Sequence, residues 1–433
     1  MHVLQISTAT IGGGASRVML QLHAAWRARG LGATVLTRHR LPEQAGRGVV
    51  TLAELLGEGH GALRRAHWYA AARAERWLNW PHLHTSTRRL PRTALWRQAD
   101  VVHLHNLHGE YFNYLYLPRL GQTKPLVWTL HDLWALTGWC TFTRDCDRWE
   151  TGCHHCPQLR ELAQLRRYPW LSPPDRTRPA WRAKARAFGQ TRLHVAAPSR
   201  WLHERAARSI LRGAALHYLP NGVNLETFRP LDRAAARAQL GLPPEATVVL
   251  FSATTLHNRR KGFDVLLQAL RQLQVDRDWW LVTVGGDPRG AVRAYPGPYL
   301  GLGPVNDDAR LNLAYNAADV VALPSLAENH PLVLLEALAA GTPAVAFDVG
   351  GAAEITRPER TGYIARYGEA ADLARGLAWI MADADRRAAL GRNCRALAEA
   401  EFDEALMVER YWALYAEAKG ATTDDRRPST EDG

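Results

Sequence analysis

The 433-residue sequence lacks several features that would assign a class at once. No apolar run reaches 18 residues, which excludes a membrane-spanning helix. The opening MHVLQIS reads as a strand and has neither the charged nor the apolar region of a signal peptide, so the sequence predicts a cytoplasmic protein. No internal repeat of 20–50 residues occurs, which excludes a solenoid. Lysine is scarce: Lys124, Lys184, Lys261 and Lys419 are the only four among 54 basic residues. Cysteine is scarce too, with five residues, four of which fall within 17 positions. The dinucleotide fingerprint G-x-G-x-x-G does not follow the first strand. What remains is ordinary for a globular chain, 47% hydrophobic and 22% charged, and long enough for two α/β domains. The net charge of +12 and a pI near 9.8 favour an anionic partner: nucleotide, membrane surface or nucleic acid.

The N-terminal half alternates short apolar runs with helical segments, the pattern of a parallel sheet. Strands are predicted at His2–Ser7, Ala33–Thr37, Asp100–Asn106, Pro125–Thr129, Leu193–Ala197 and Ala215–Leu219. The first leads into the glycine loop TATIGGGAS, with Ser16 as cap for a helix over Arg17–Arg29. Glycines there let backbone approach a ligand, or simply make a tight turn. His103, His105 and His108 follow one strand and His131-Asp132 another, at the sheet edge where α/β proteins bind ligands. Such histidines are either structural or in contact with a reacting group.

Residues 60–100 hold eight arginines (64, 65, 73, 76, 88, 89, 92, 97) against Glu75 and Asp100, interleaved with Trp68, Tyr69, Trp77, Trp80 and Trp96. The mixture suits an anionic membrane interface, single-stranded nucleic acid, or a solvated basic face over core tryptophans. Next comes the cysteine cluster Cys140, Cys146, Cys153 and Cys156, spaced C-x5-C-x6-C-x2-C. In a reducing compartment it reads as a structural zinc site, with His154 and His155 as spare ligands, or as reduced or redox-active thiols.

The C-terminal half opens a second α/β pattern, with strands at Thr247–Ala253, Leu281–Val284, Val320–Leu323, Ala344–Phe347 and Tyr363–Ala365. Arg259, Arg260 and Lys261 sit at the first strand-to-helix turn, a placement suited to a diphosphate. The stretch VVALPSLAENHPLVLLEALAAGTPAVAFDVGG, Val320–Gly351, is the most informative. It places Glu328 between a strand end and a helix opened by Pro331, with Glu336 a little over two turns further on. The helix N-terminus is a seat for phosphate, and carboxylates on either side suit sugar and ribose hydroxyls. Gly341 and Pro343 stop that helix.

Glu328 and Glu336 form an E-x7-E pair, and the stretch resembles the donor-site motif of retaining GT-B glycosyltransferases of family 4, above all the exopolysaccharide, colanic-acid-type branch. The resemblance runs from Met1 to about Ala418. It implies an α/β protein of two Rossmann-like domains facing each other across a cleft that holds the active site. Residues 1–220 would form an acceptor-side domain with a Cys-rich insert at 138–160, and 221–400 a nucleotide-sugar-binding domain. A helix at 401–419 would return to the first domain, before a disordered tail at 420–433. By the same resemblance, Gly13 and Gly14 face the donor phosphates and acceptor, and His131 lies near the transferred sugar. Lys261 with Arg259 or Arg260 holds the diphosphate, and Val305 in GLGPVND belongs to the loop that grips the base. Asn329, His330, Leu332 and Val333 line the donor, Glu328 grips the sugar and Glu336 the ribose. The sequence departs at Thr255, where the family has an arginine.

The implied reaction is transfer, with retention, from a nucleoside-diphosphate-sugar to a glycan or lipid-linked acceptor. No metal is expected in the cleft, nor any nucleic acid partner. Residues 60–100 would meet the inner face of the membrane peripherally. The main alternative is a non-catalytic sugar-nucleotide-binding partner of a polysaccharide assembly complex, which Thr255 favours. Related enzymes of the same fold (an epimerase or a phosphorylase) and a nucleic-acid-binding protein complete the alternatives.

Overall fold

A computed structural model describes residues 1–56, 62–78, 84, 86–164, 174–273, 279–287 and 289–424. The chain divides into two compact units, Met1–Leu219 with Val408–Gly433, and Pro220–Met407. Each is built on one parallel sheet. Among the described residues, unit 1 has seven strands: β1 His2–Ala9, β2 Gly32–His39, β3 Val49–Thr51, β4 Val101–Leu104, β5 Leu126–Thr129, β6 Leu193–Ala197 and β7 Ala215–Tyr218. Their order is β3-β2-β1-β4-β5-β6-β7. Unit 2 has six: β8 Thr247–Thr255, β9 Trp279–Gly286, β10 Tyr299–Gly301, β11 Val320–Leu323, β12 Ala344–Phe347 and β13 Gly362–Ala365, in the order β10-β9-β8-β11-β12-β13.

The central strands are largely apolar because helices cover both faces of a parallel sheet. VVHL, LVWT, VVAL and AVAF are buried at every position. In both units the chain grows toward one edge, then returns to the middle. The direction reverses between β1 and β4 in unit 1 and between β8 and β11 in unit 2. The loops at the carboxyl ends of those paired strands are where open α/β sheets bind ligands.

Helix Leu332–Ala340 is apolar apart from Glu336, and Leu334, Leu335 and Leu338 are 0–3% exposed. Burial of each such leucine contributes about 1.5–3 kcal/mol. The helix closes at Gly341 (φ 75°), whose left-handed turn lets Thr342 N–H reach the Ala337 carbonyl at 2.9 Å. Pro331 stands one residue before the helix, not within its first turn.

Several boundaries differ from the sequence reading. The first helix spans Gly13–Ala28, four residues earlier than expected at its start. Ser16 does not cap it; its hydroxyl donates to the Ala9 carbonyl at 2.9 Å. The arginine-tryptophan stretch contains helix Ala62–Leu78. Trp96 is a core residue, 2% exposed, donating through Nε1 to Thr123 Oγ1 at 3.1 Å. Trp68 lies under the Arg38 guanidinium, 4.6 Å from the ring centre. Trp80 and the side chains of Arg64, Arg65, Arg76 and Trp77 lie outside what is described. The last helix, Glu404–Asp424, extends through Gly420, where a polar tail was expected, and 425–433 lie outside the described residues. Among the described residues, no helix is long and apolar enough to cross a membrane.

Candidate active site

In unit 2 the loops after β8, β11 and β12 meet at the reversal point. β8 ends at Thr255, and a 3₁₀ turn, Arg259–Lys261, follows, with the Asn258 side chain accepting from Arg260 N–H. Gly262 then adopts φ +69°, and a Cβ there would stand 1.9 Å from the Pro324 carbonyl oxygen. Only glycine lets the two loops approach so closely. Leu326 N–H donates to the Arg260 carbonyl at 2.7 Å, and Arg260 Nη1 donates to the Ala327 carbonyl at 2.6 Å. On the other side, a Cβ at Gly350 (φ +58°) would stand 2.1 Å from the Glu328 carbonyl oxygen, and Gly351 N–H donates to the Asn329 carbonyl at 2.6 Å.

Glu328 is thereby held at 7% exposure with cations against it. Lys261 Nζ lies 2.5 Å from Glu328 Oε1, and Arg260 Nη1 lies 3.4 Å from the same oxygen. Burial alone would raise the Glu328 carboxyl; Lys261 first, then Arg260, outweigh it and hold the carboxyl below its usual range. The group is ionised at neutral pH and its cations are preorganised. Arg259 is exposed. Of the neighbours considered for the family arginine at Thr255, Arg260 is the one beside Glu328.

Glu336 is 5% exposed, and Tyr315 Oη donates to its Oε2 at 2.6 Å. Asn329 and His330 are buried beside the loop. Asn221 Nδ2 donates to the His330 carbonyl at 3.3 Å, while both His330 ring nitrogens are buried without a hydrogen-bond partner. Burial lowers His330 to about 3, so its ring is neutral. Leu332 and Val333 open a helix that no side chain caps and that carries no acidic residue in its first turn, leaving a suitable end for an anion. Val305 is partly buried against the unit 2 core, in a loop that Gly303 ties to β9 through the Gly285 N–H at 2.8 Å.

Unit 1 builds its reversal point differently. Gly13 (φ +75°) opens the first helix, with no atom within 4 Å of where a Cβ would stand, and Gly14 is exposed. His103 and His105 are 0% and 1% exposed, with ring centres 4.0 Å apart. His103 bonds Thr129 Oγ1 and the Tyr415 hydroxyl, each at 2.7 Å. His105 Nε2 lies 3.0 Å from Gln5 Oε1, and its Nδ1 lies 2.9 Å from His131 Nε2. With His105 Nε2–H donating to Gln5, its Nδ1 must accept from His131 Nε2–H. That leaves the lone pair of His131 on Nδ1. Burial lowers His131 to about 4 despite the Asp132 carboxylate beside it, and drives His103 and His105 well below the usual range. His108 bonds Asp132 Oδ2 at 2.9 Å. His105, His108, His131 and Asp132 line one small pocket.

The four clustered cysteines line one pocket and are free thiols. Burial pushes the Cys140 thiol up to about 12 and raises Cys153 and Cys156. Lys184, fully buried, braces the segment from below through Nζ to the carbonyls of Trp134 at 2.6 Å and Thr137 at 2.9 Å. Zinc requires converged thiolates. Among the described residues, the one group of potential ligand atoms lying within 4.8 Å of one another is His194, His217 and Glu417. For the four cysteines, zinc binding stays an expectation from their spacing and their shared pocket. Sequence reading missed this trio because its members are distant in the chain and none stands in a ligand-like spacing.

Comparison with known proteins adds the following. Residues 12–227 match the family model Glycosyltransferase Family 4, and 232–397 match Glycosyl transferases group 1. The chain is 38% identical over 197 residues to the D-inositol 3-phosphate glycosyltransferase of Nocardia farcinica, covering 42% of this chain and 43% of that protein. It is 29% identical over 268 residues to an Escherichia coli K12 protein bearing the name colanic acid biosynthesis glycosyl transferase WcaC, covering 59% and 61%. The matched region thus spans about half the length of these curated relatives. Among solved structures, sucrose-phosphate synthase from Thermosynechococcus elongatus aligns with a TM-score of 0.69 at 22% identity, covering 97% of this chain and 99% of that one. Anabaena Alr3699/HepE in complex with UDP-glucose aligns at 0.62 and 19% identity, covering 97% and 100%. These likenesses show the fold. The chain carries a Glycosyltransferase Family 4 domain followed by a Glycosyl transferases group 1 domain, on a GT-B fold of two parallel-sheet α/β units.

Proposed function

We propose that this chain transfers a glycosyl group, with retention, from a nucleoside-diphosphate-sugar to a hydroxyl acceptor. The observation that carries the reading is the Lys261–Glu328 pair, with Arg260 on the same carboxylate oxygen, at the unit 2 reversal point. A donor diphosphate entering there takes over Lys261 and Arg260, beside the N-terminus of the helix Leu332–Ala340. These groups stabilise the charge that develops as the C1–O bond breaks and its electron pair leaves with the diphosphate, while the acceptor oxygen bonds C1 and its proton passes to the departing phosphate. Glu328, relieved of its cation, accepts from hydroxyls of the transferred sugar. Glu336 does the same for ribose, and the Val305 loop receives the base. In unit 1, His131, neutral at pH 7, offers its Nδ1 lone pair to a sugar hydroxyl. The UDP-glucose complex of a structural neighbour supports uracil as the first base to test.

The acceptor is a glycan or lipid-linked sugar in cell-surface polysaccharide synthesis, a reading supported by the colanic-acid relative. A phosphorylated polyol is the second reading, supported by the inositol-phosphate relative at 38% identity. The test is turnover of UDP-sugars with each acceptor class, with product anomers assigned by NMR. Retained configuration, lost together with turnover in Glu328→Ala and Lys261→Ala, is expected. Inverted product would remove retention, and near-wild-type turnover in either variant would remove the site. Donor binding without transfer to any acceptor would leave a non-catalytic sugar-nucleotide-binding partner.

A further inference from the structure

The trio His194, His217 and Glu417 belongs to no part of the glycosyl-transfer site. His194 lies on β6 and His217 on β7, the sheet's last strand. The register pairs His194 with Ala215 and Ala196 with His217, so both histidines occupy one face as diagonal neighbours. Their rings stack at 5.7 Å with 18° between planes. Glu417, on the last helix, reaches down to them.

The three potential ligand atoms converge without direct hydrogen bonds from either ring to the carboxylate. Glu417 Oε1 lies 3.6 Å from His194 Nδ1 and 3.7 Å from His217 Nε2. Both gaps exceed a hydrogen bond. Both ring nitrogens are buried and have no hydrogen-bond partner. His194 itself is 5% exposed. Leaving two buried nitrogens unsatisfied, aimed at one carboxylate oxygen, is costly unless something sits between them. A zinc-type ion with bonds of about 2.0–2.1 Å sets tetrahedral ligands roughly 3.3 Å apart. The observed gaps need to close by only a few tenths of an ångström.

We propose that His194, His217 and Glu417 bind a divalent transition metal of the zinc, cobalt and nickel class. Two imidazoles and one carboxylate are the donor set these borderline ions take. Three protein ligands leave a fourth position, on the solvent side where Glu417 is exposed, for water. The ion fastens the last helix to the β6–β7 edge of the unit 1 sheet. Tyr411 and Tyr415 of that helix bond Thr129 and His103 beneath it, so the ion holds the helix that covers the histidine layer.

The experiment uses the full chain, freed of tag histidines and stripped with chelator, titrated with Co(II) as a visible-absorbing probe and then with Zn(II) as competitor. The expected result is one equivalent of cobalt with a nitrogen–oxygen spectrum and no thiolate charge-transfer band, displaced by zinc. Zinc at about 100 times its Kd raises the Tm by roughly 5 °C. Glu417→Gln and His217→Gln, at positions that are not deeply buried, weaken cobalt binding by at least roughly 100-fold. Absence of a cobalt spectrum in the wild type overturns the proposal. So does a thiolate band that persists in Glu417→Gln, which would place the ion at the cysteines, or unchanged affinity in both variants.

Discussion

The two units share one topology and use its reversal point in opposite ways. Unit 2 fills it with charge: a buried carboxylate gripped by lysine and arginine. Unit 1 fills it with neutral rings: His103, His105 and His131, packed ring to ring and hydrogen-bonded, with their proton affinity suppressed by burial. A parallel sheet with a gap between returning loops supplies only the place. The side chains at the strand ends decide whether that place is charged or neutral.

The largest effect should come from removing charge in unit 2. Lys261→Ala and Glu328→Ala should each lower transfer by about 10²–10³-fold or more, measured as turnover of UDP-sugar. Unit 2 should remain folded by circular dichroism, because Arg260 still neutralises Glu328 in the first variant. Next is the loop contact that sets this geometry. Gly262→Ala forces a side chain into the left-handed region and against the Pro324 carbonyl, and should cost about 3 kcal/mol in denaturant unfolding.

Acid should separate the units. In the unfolded chain His103, His105 and His131 bind protons near pH 6.5; in the fold burial keeps them neutral. The unfolded state therefore binds more protons, and stability is complete above about 6.5 and is lost as pH falls toward about 4. His131 alone accounts for on the order of 2–3 kcal/mol over that window. Unit 2 has one comparable histidine, His330, while Glu328 is lost only when pH falls below the carboxylate range. Thirteen of the 16 tryptophans lie in unit 1, so fluorescence melts between pH 7 and 4.5 should fall faster than far-UV melts. Coincident shifts would contradict the contrast.

Smaller changes sharpen it. Tyr415→Phe removes the hydroxyl at His103 Nδ1 and should destabilise unit 1 by about 1 kcal/mol. Arg260→Ala should raise KM for the donor about tenfold, whereas exposed Arg259→Ala should leave it near wild type.

Much of unit 2 was legible because its central strands are short, fully apolar and bounded by proline and glycine. Val320–Leu323 and Ala344–Phe347 are predicted to the residue. The three-residue strands β3 and β10 were not, since Val49–Thr51 and Tyr299–Gly301 are too short for any period to show. The glycine loop misled for a physical reason: Ser16 looks like a cap, but the helix is already under way at Gly13 and the hydroxyl turns back to Ala9. Glu328 with Lys261 was legible because both sit at strand-to-helix turns. Their salt bridge was not, because it depends on Gly262 and Gly350 admitting close backbone contacts. The His194–His217–Glu417 trio was invisible, since its members meet only through strand register and the docking of the last helix.

The most direct test of the central claim is a thermal-shift panel of nucleoside diphosphates on the wild type and Lys261→Ala. The account predicts that one base raises the melting temperature by several degrees and that the rise disappears in Lys261→Ala. No shift with any diphosphate, or a shift that survives in Lys261→Ala, would contradict it.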